Sequence, residues 1–149
     1  MSISYDPNFR ALMDQRYDAV LQRMAALADV IKVSDEDLRG LFRTADAEQA
    51  FGMLRDLNPD AIYLYTRGAD GAQLYKGAGS WSAPAPKIAV VDTVGAGDAS
   101  IGALLYSFIE RPAEALDSHL RFAVAAGAAA CLAPGASPPS LTAIEALLA

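Results

Sequence analysis

The segment Val90-Val91-Asp92-Thr93-Val94-Gly95-Ala96-Gly97-Asp98-Ala99 holds the residue types best suited to chemistry in this 149-residue chain. Glycines at 95 and 97 let the backbone turn tightly and present its N–H groups. The pattern predicts a strand over Lys87–Val91, a Gly-rich turn over Asp92–Asp98 and a helix to about Glu110. Open α/β sheets place ligands at the carboxyl end of a strand, where this turn would lie. The start of the helix adds unpaired N–H donors and the positive end of a dipole. Together they make an anion site, suited to a phosphate or to charge developing on a transferring phosphoryl group. Asp98 stands at its rim, where a carboxylate can accept the proton of an attacking hydroxyl. The competing assignment is plainer: Asp98 simply caps the helix.

Two familiar phosphate motifs fail on inspection. Gly97 and Gly102 have the outer spacing of a Walker A loop, but Ala103 stands where its lysine belongs. Gly95-Ala96-Gly97 opens a dinucleotide fingerprint, yet its last position is Ser100, and Asp98 would repel a pyrophosphate on the loop. His119 is the only histidine, which removes His-based metal clusters and a Ser-His-Asp triad. It reads as structural or solvated. Trp81 reads as a strand or loop anchor, and Tyr63 and Tyr65 as sheet packing.

The elements that must position this loop alternate between strand and helix. Ser2 to Tyr5 is a short β-prone run stopped by Asp6-Pro7-Asn8. Tyr17, Val20, Leu21, Met24, Leu27 and Ala28 recur at helical spacing. Val30, Ile31 and Val33 form a strand, and Ser34 opens a helix to about Phe42. Ala47, Ala50, Phe51, Leu54 and Leu57 mark another helix, ended by Asn58-Pro59. Ala61 to Thr66 is a strand, 67–71 a turn, and Ala72 to Tyr75 a returning hairpin arm. Gly77 to Pro86 reads as loop. After the chemical loop and its helix, Pro112 suits the first turn of a long Ala-rich helix. Pro134 to Pro139 reads as loop, and Thr142 with Glu145 as the capping box of a terminal helix. The alternation predicts an α/β fold with a mainly parallel sheet and helices on both faces.

Composition sets the limits. The chain is 53% hydrophobic and 20% charged, enough for a core and too little charge for disorder. Its length suggests one domain over residues 1–149. A formal net charge of −6 gives no general attraction to nucleic acid or an anionic membrane. No run reaches the ~18 apolar residues of a membrane span. The opening residues lack a signal peptide's basic-then-apolar order, and Cys131 is the only cysteine. A cytoplasmic protein is the expectation.

Asp92-Thr93-Val94-Gly95-Ala96-Gly97-Asp98 resembles the D-T-x-G-A-G-D signature of PfkB-family carbohydrate kinases, a long and specific motif. Four further segments resemble the family in the right order. Asp6-Pro7-Asn8-Phe9-Arg10 is similar to its D-P-N-x-R, and Lys32-Val33-Ser34-Asp35-Glu36-Asp37 to its K-x-N-x-x-E region. Thr66-Arg67-Gly68-Ala69-Asp70-Gly71 is similar to its T-x-G-x-x-G, and Pro134 to Pro138 to its G-A-x-P stretch. Fructokinase-like members share the pattern best. The resemblance implies a ribokinase-like three-layer α/β/α fold and ATP-dependent phosphoryl transfer to a sugar hydroxyl.

By the same resemblance, Asp98 is the general base and the N–H groups of Gly95, Ala96, Gly97 and Asp98 are the anion hole. Thr66, Gly68 and Gly71 lie on the nucleotide side. Ala123 to Gly127 and the 133–137 loop, with Gly135 and Ala136, border the adenine. Asp6, Asn8 and Arg10 lie nearer the sugar. Asp37 is the candidate for magnesium, and Asp92, with the loop near Gly135, for a monovalent cation such as K+. ATP, ADP, Mg2+ and a sugar are the implied ligands.

Two departures stand out. Ser34 replaces the family's usual asparagine, and Asp37 its magnesium-linked glutamate, so Ser34 to Asp37 also reads as a helix N-cap. Met1 leads at once into the strand before Asp6, where family members carry a whole half upstream. The chain is therefore expected to be the C-terminal part of the fold, without the sugar-binding half and lid. An open sheet edge would then favour self-association or a complementing N-terminal half. The alternative function is a noncatalytic nucleotide-binding or interaction module.

Overall fold

Three short parallel strands carry the first half of the chain. They are β1 (Ser4–Tyr5), β2 (Val30–Ser34) and β3 (Ile62–Thr66). The register sets Tyr5 beside Ile31 and Ile31 beside Tyr63, with Val33 beside Tyr65 and Ser34 beside Thr66. Two more strands, β4 (Ala72–Lys76) and β5 (Gly79–Ala83), complete a sheet ordered β1-β2-β3-β4-β5. The computed structural model describes residues 2–148. Its packing divides the chain into two units, Met1–Arg67 with Tyr75–Ser80, and Gly68–Leu74 with Trp81–Ala149.

In the first unit, α1 (Asp18–Leu27), α2 (Asp35–Phe42) and α3 (Ala47–Leu57) follow the apolar spacing. The expected stripe on α1 narrows. Leu21, Ala25 and Ala28 are buried, whereas Val20 and Leu27 are exposed on its flank. At 100° per residue, a seam through 21, 25 and 28 turns 20 and 27 away from the core. α3 buries Ala47, Ala50, Phe51 and Leu54, the i, i+3, i+4, i+7 face, and starts on an Asp46 side chain that accepts the Gln49 N–H. Its end at Asn58 also closes α1: the Asn58 amide donates to the carbonyls of Ala25 at 3.0 Å and Ala28 at 2.9 Å. One sheet face contributes Tyr5, Ile31, Val33, Tyr63 and Tyr65 to this core. Phe51 meets the rings of Tyr63, Tyr65 and Tyr75 at 4.8–5.8 Å between centroids.

Residues Gly79–Ala83 form a strand where a loop was expected. Ser80 and Ser82 are exposed and Ala83 is buried, a period-2 pattern that small, weakly β-forming residues conceal. A two-residue turn, with Gly77 at a φ of 54°, leads into it from β4. The reverse holds for Lys87–Val91, expected as a strand and here without one. A strand exists only where a ladder partner accepts its backbone bonds. This run has none among the described residues, and Val90, Val91 and Val94 are exposed.

The second unit is built on α4 (Ala96–Glu110), α5 (Leu116–Ala130) and α6 (Leu141–Ala146). Ala103, Phe122, Ala125, Ala126, Ala129 and Ile144 form its core cluster. α5 starts four residues beyond Pro112 and not on it, since Pro112 lies in a turn closed by Glu114 N–H to the Arg111 carbonyl at 3.0 Å. α6 is capped by Ser140, whose hydroxyl accepts the Ala143 N–H at 3.2 Å, and not by Thr142 with Glu145. Starting the helix at Leu141 puts Ile144 on its buried side, which outweighs the capping-box match. His119 is buried and hydrogen-bonds Ser107 at 2.7 Å, joining α5 to α4. Among the described residues no helix is long and apolar enough to cross a membrane.

Candidate functional site

The 92–98 loop is held by its own first residue. Asp92 Oδ1 accepts the Val94 N–H at 3.1 Å, and Oδ2 accepts the Gly135 N–H at 2.8 Å, so one carboxylate ties this turn to the 133–137 loop. The Gly135 N–H, then the Val94 N–H, holds this carboxyl below the usual range. Backbone bonds from the Val91 and Asp92 N–H groups to the Cys131 carbonyl, at 2.8 and 3.3 Å, anchor the approach to the turn. Gly95 then serves as N-cap of α4 with a left-handed φ of 83°, and Ala136 Cα lies 3.1 Å from where a β-carbon would stand. Both conditions call for glycine.

These contacts leave the head of a 15-residue helix open. The Ala96 N–H reaches the Thr93 carbonyl at 3.2 Å, while those of Gly95, Gly97 and Asp98 have no partner among the described residues. Asp98 is the third residue of α4 and exposed, and its side chain makes no cap bond. The N-cap is Gly95, so the plain capping assignment is not what this carboxylate does. It lies in the first turn, where the dipole favours a negative charge.

Elsewhere in this unit the expected nucleotide residues divide. Gly135, at a φ of 71°, and Ala136 lie beside Asp92 and Gly95. Gly127 and Ala123 to Ala126 are interior. A β-carbon on Gly127 would overlap Ser100 Oγ and come 3.2 Å from the Ala96 carbonyl oxygen, so this glycine lets α5 approach α4. Gly68 has open space around it, and Gly71 is buried with the Ala83 carbonyl where a β-carbon would stand.

In the first unit, the carboxyl ends of β1, β2 and β3 gather a second group. Thr66 ends β3 and donates to the Val33 carbonyl at 3.4 Å. Lys32 is buried, with Nζ 3.3 Å from Asp6 and 3.7 Å from Asp37. Burial pushes the Asp6 carboxyl up, and the Lys32 charge works against that rise. Asp37 closes a capping box with Ser34 and accepts the Phe9 N–H at 2.8 Å. Arg10 Nη1 donates to Asn8 Oδ1 at 2.5 Å and to the Phe9 carbonyl at 3.0 Å. Asp6, Asn8, Arg10 and Asp37 therefore come together as one cluster. Sequence reasoning left Lys32 out of the site. Its signal is a lone cation inside Val30-Ile31-Lys32-Val33, an otherwise apolar buried run, since lysine is buried almost only when paired.

A magnesium ion keeps several waters and takes one or two carboxylates plus phosphate oxygens. Asp37 does not fit that part. Its Oδ2 already accepts the Ser34 N–H and O–H at 2.9 and 2.7 Å, its Oδ1 accepts Phe9, and an ammonium stands beside it. Asp92 has one donor on each oxygen and keeps a lone pair on each for a cation. No group of three His, Cys, Asp or Glu converges among the described residues.

Residues 2–143 match the family described as "pfkB family carbohydrate kinase". Fructokinase-1 of Oryza sativa subsp. japonica is 33% identical over 153 residues, taking in 97% of this chain and 47% of the relative. The structure of aminoimidazole riboside kinase from Salmonella enterica, complexed with aminoimidazole riboside and an ATP analog, gives a TM-score of 0.88 at 33% identity, over 99% of this chain and 52% of that one. Fructokinase from Vibrio cholerae O395, in its fructose, ADP and calcium ion bound form, gives 0.85 at 30% identity, over 99% and 51%. The chain thus spans about half the length of these relatives. Their likeness gives the α/β elements a ribokinase-like fold, of which the chain covers part. With five motifs in order and a family match over nearly its whole length, this chain belongs to the PfkB family of carbohydrate kinases.

Proposed function

We propose that the chain carries the phosphoryl-transfer side of an ATP-dependent carbohydrate kinase, with Asp98 as general base and the N–H groups of Gly95 to Asp98 as anion hole. One observation carries the reading: the open amides at the head of α4 stand beside an exposed carboxylate that caps nothing. Phosphoryl transfer needs positioning and charge stabilisation more than covalent help. Fixed amides supply this without reorganising, and a carboxylate within reach of the acceptor hydroxyl takes its proton. In this reading Thr66, Gly68, Gly71, Gly135 and Ala136 serve the nucleotide. Asp6, Asn8 and Arg10 serve the sugar. Magnesium bound with the nucleotide would offset the phosphate charge, and Asp92 would be the residue to hold a monovalent cation. Gly127 contributes by letting α5 close on α4, not through a surface of its own. The named relatives bind fructose or aminoimidazole riboside, and a furanose-type alcohol is the acceptor class to try first.

The test compares this chain with Asp98→Asn. ADP formation from MgATP is followed with fructose and with aminoimidazole riboside, and ADP affinity is measured by calorimetry. Sugar-dependent ADP formation is expected to disappear in the variant, with nucleotide affinity kept within about twofold, since the amides are untouched. Turnover that survives the change would refute the base assignment. Nucleotide binding without sugar-dependent ADP in the unmodified chain would mark it as a nucleotide-binding module.

A further inference from the structure

Asp37 occupies the place of a magnesium-linked acid in the pattern, yet its surroundings are those of a latch. We propose that Asp37 is a positioning residue and not a metal ligand, fastening the Asp6–Arg10 loop to the cap of α2 with Lys32 as its counter-charge. Oδ1 accepts the N–H of Phe9, 28 residues away in sequence, at 2.8 Å. Oδ2 accepts the N–H and O–H of Ser34 at 2.9 and 2.7 Å, and the Asp37 N–H returns to Ser34 Oγ at 3.0 Å. The same carboxylate thus closes the helix cap and grips the loop. Phe9 is held a second time, because its ring occupies the space a β-carbon on Gly40 would need, one turn along α2. Fixing Phe9 fixes its neighbours. Asn8 is held at a φ of 41°, and Arg10 bonds both Asn8 and the Phe9 carbonyl.

The side-chain length agrees. A glutamate at this position also closes a capping box, but its extra methylene shifts the carboxylate away from the Phe9 N–H that Oδ1 accepts at 2.8 Å. A divalent cation would have to displace these donors and face the Lys32 ammonium, which lies 3.7 Å from Oδ2. That the latched loop serves a sugar rests on the kinase reading. The latch itself does not.

Amide hydrogen exchange and Mn2+ line broadening in NMR test this on the whole chain, with Asp37→Ala, Asp37→Glu and Gly40→Ala. Losing a hydrogen bond to a charged acceptor should speed Phe9 exchange by about ten- to a hundredfold in both Asp37 variants. Phe51 and Leu54 of α3 report on global stability and should change far less. Gly40→Ala should also release Phe9, and it decides the matter if Asp37→Ala does not fold. Mn2+ added alone should broaden the Ser34–Asp37 amides equally with and without the Asp37 carboxylate. Unchanged Phe9 exchange in the folded variants, broadening abolished by Asp37→Ala, or tighter Mn2+ binding by Asp37→Glu would each overturn the proposal. None of these readouts needs nucleotide, sugar or turnover, so their failure is separable from failure of the kinase reading.

Discussion

Replacing Lys32 by methionine keeps an unbranched side chain, one atom shorter, and removes the cation between two carboxylates. Only 7% of the lysine side chain is exposed, against 18% for Asp6 and 9% for Asp37. At an effective dielectric near 20, the contacts at 3.3 and 3.7 Å correspond to attractions of about 5 and about 4 kcal/mol. Holding the ammonium out of water offsets part of this. Removing one partner of such a buried group leaves a net loss of about 3–5 kcal/mol. The loss must depend on pH. Burial already raises the Asp6 carboxyl in the folded protein, and Lys32 is the main influence pulling it down, so the variant's Asp6 rises further. Between the unfolded value of about 3.9 and the raised folded value, the folded state binds the extra proton, so stability falls as pH rises. The penalty is therefore complete above the folded value and fades towards pH 4. Urea unfolding followed by circular dichroism at pH 7, 5.5 and 4.5 measures it, and Asp6→Asn added to the variant should recover much of the loss at pH 7. A difference below about 1 kcal/mol at pH 7, or one that stays flat down to pH 4.5, would refute this account.

Gly127→Ala should destabilise, although alanine in place of glycine inside a helix is ordinarily worth about 0.5–1 kcal/mol in the other direction. Crowding against Ser100 Oγ should cost about 1–3 kcal/mol and lower the thermal midpoint, with partial relief from Ser100→Ala. Asp92 provides an acid-side marker. Its folded carboxyl is depressed by the Gly135 and Val94 amides, so its stabilising bonds persist above the unfolded value and are lost as pH falls through the lower, folded one. The Gly135 amide shift should titrate below about pH 3.9, and Asp92→Asn should abolish that titration. A Gly135 shift indifferent to acid would contradict the tie between the two loops.

Local rules made much of this chain legible. Ser34 stands before an apolar stripe and does cap α2. Asn58-Pro59 stops α3, and the β-rich run before Thr66 is β3. The Asp92–Asp98 motif announced a turn into a helix because its glycines, its carboxylate and the following apolar residues are neighbours in sequence. Rules of the same kind misled wherever a partner had to be known. Val90 and Val91 look like a strand, but no strand pairs with them among the described residues, and the Val91 N–H goes instead to the Cys131 carbonyl just beyond α5. Gly79–Ala83 looks like a loop and becomes a strand because β4 lies alongside.

By itself the sequence determined the family, the order of most elements and the position of the Asp92–Asp98 turn before α4, all of which depend on residues within a few places of one another. Only the tertiary structure decided which carboxylate is free and which is spent. Asp98 remains open to its surroundings, whereas Asp37 is consumed by Phe9, Ser34 and Lys32, partners up to 28 residues away. An acid's chemistry depends on how many donors already surround it, and that count exists only once distant parts of the chain have met.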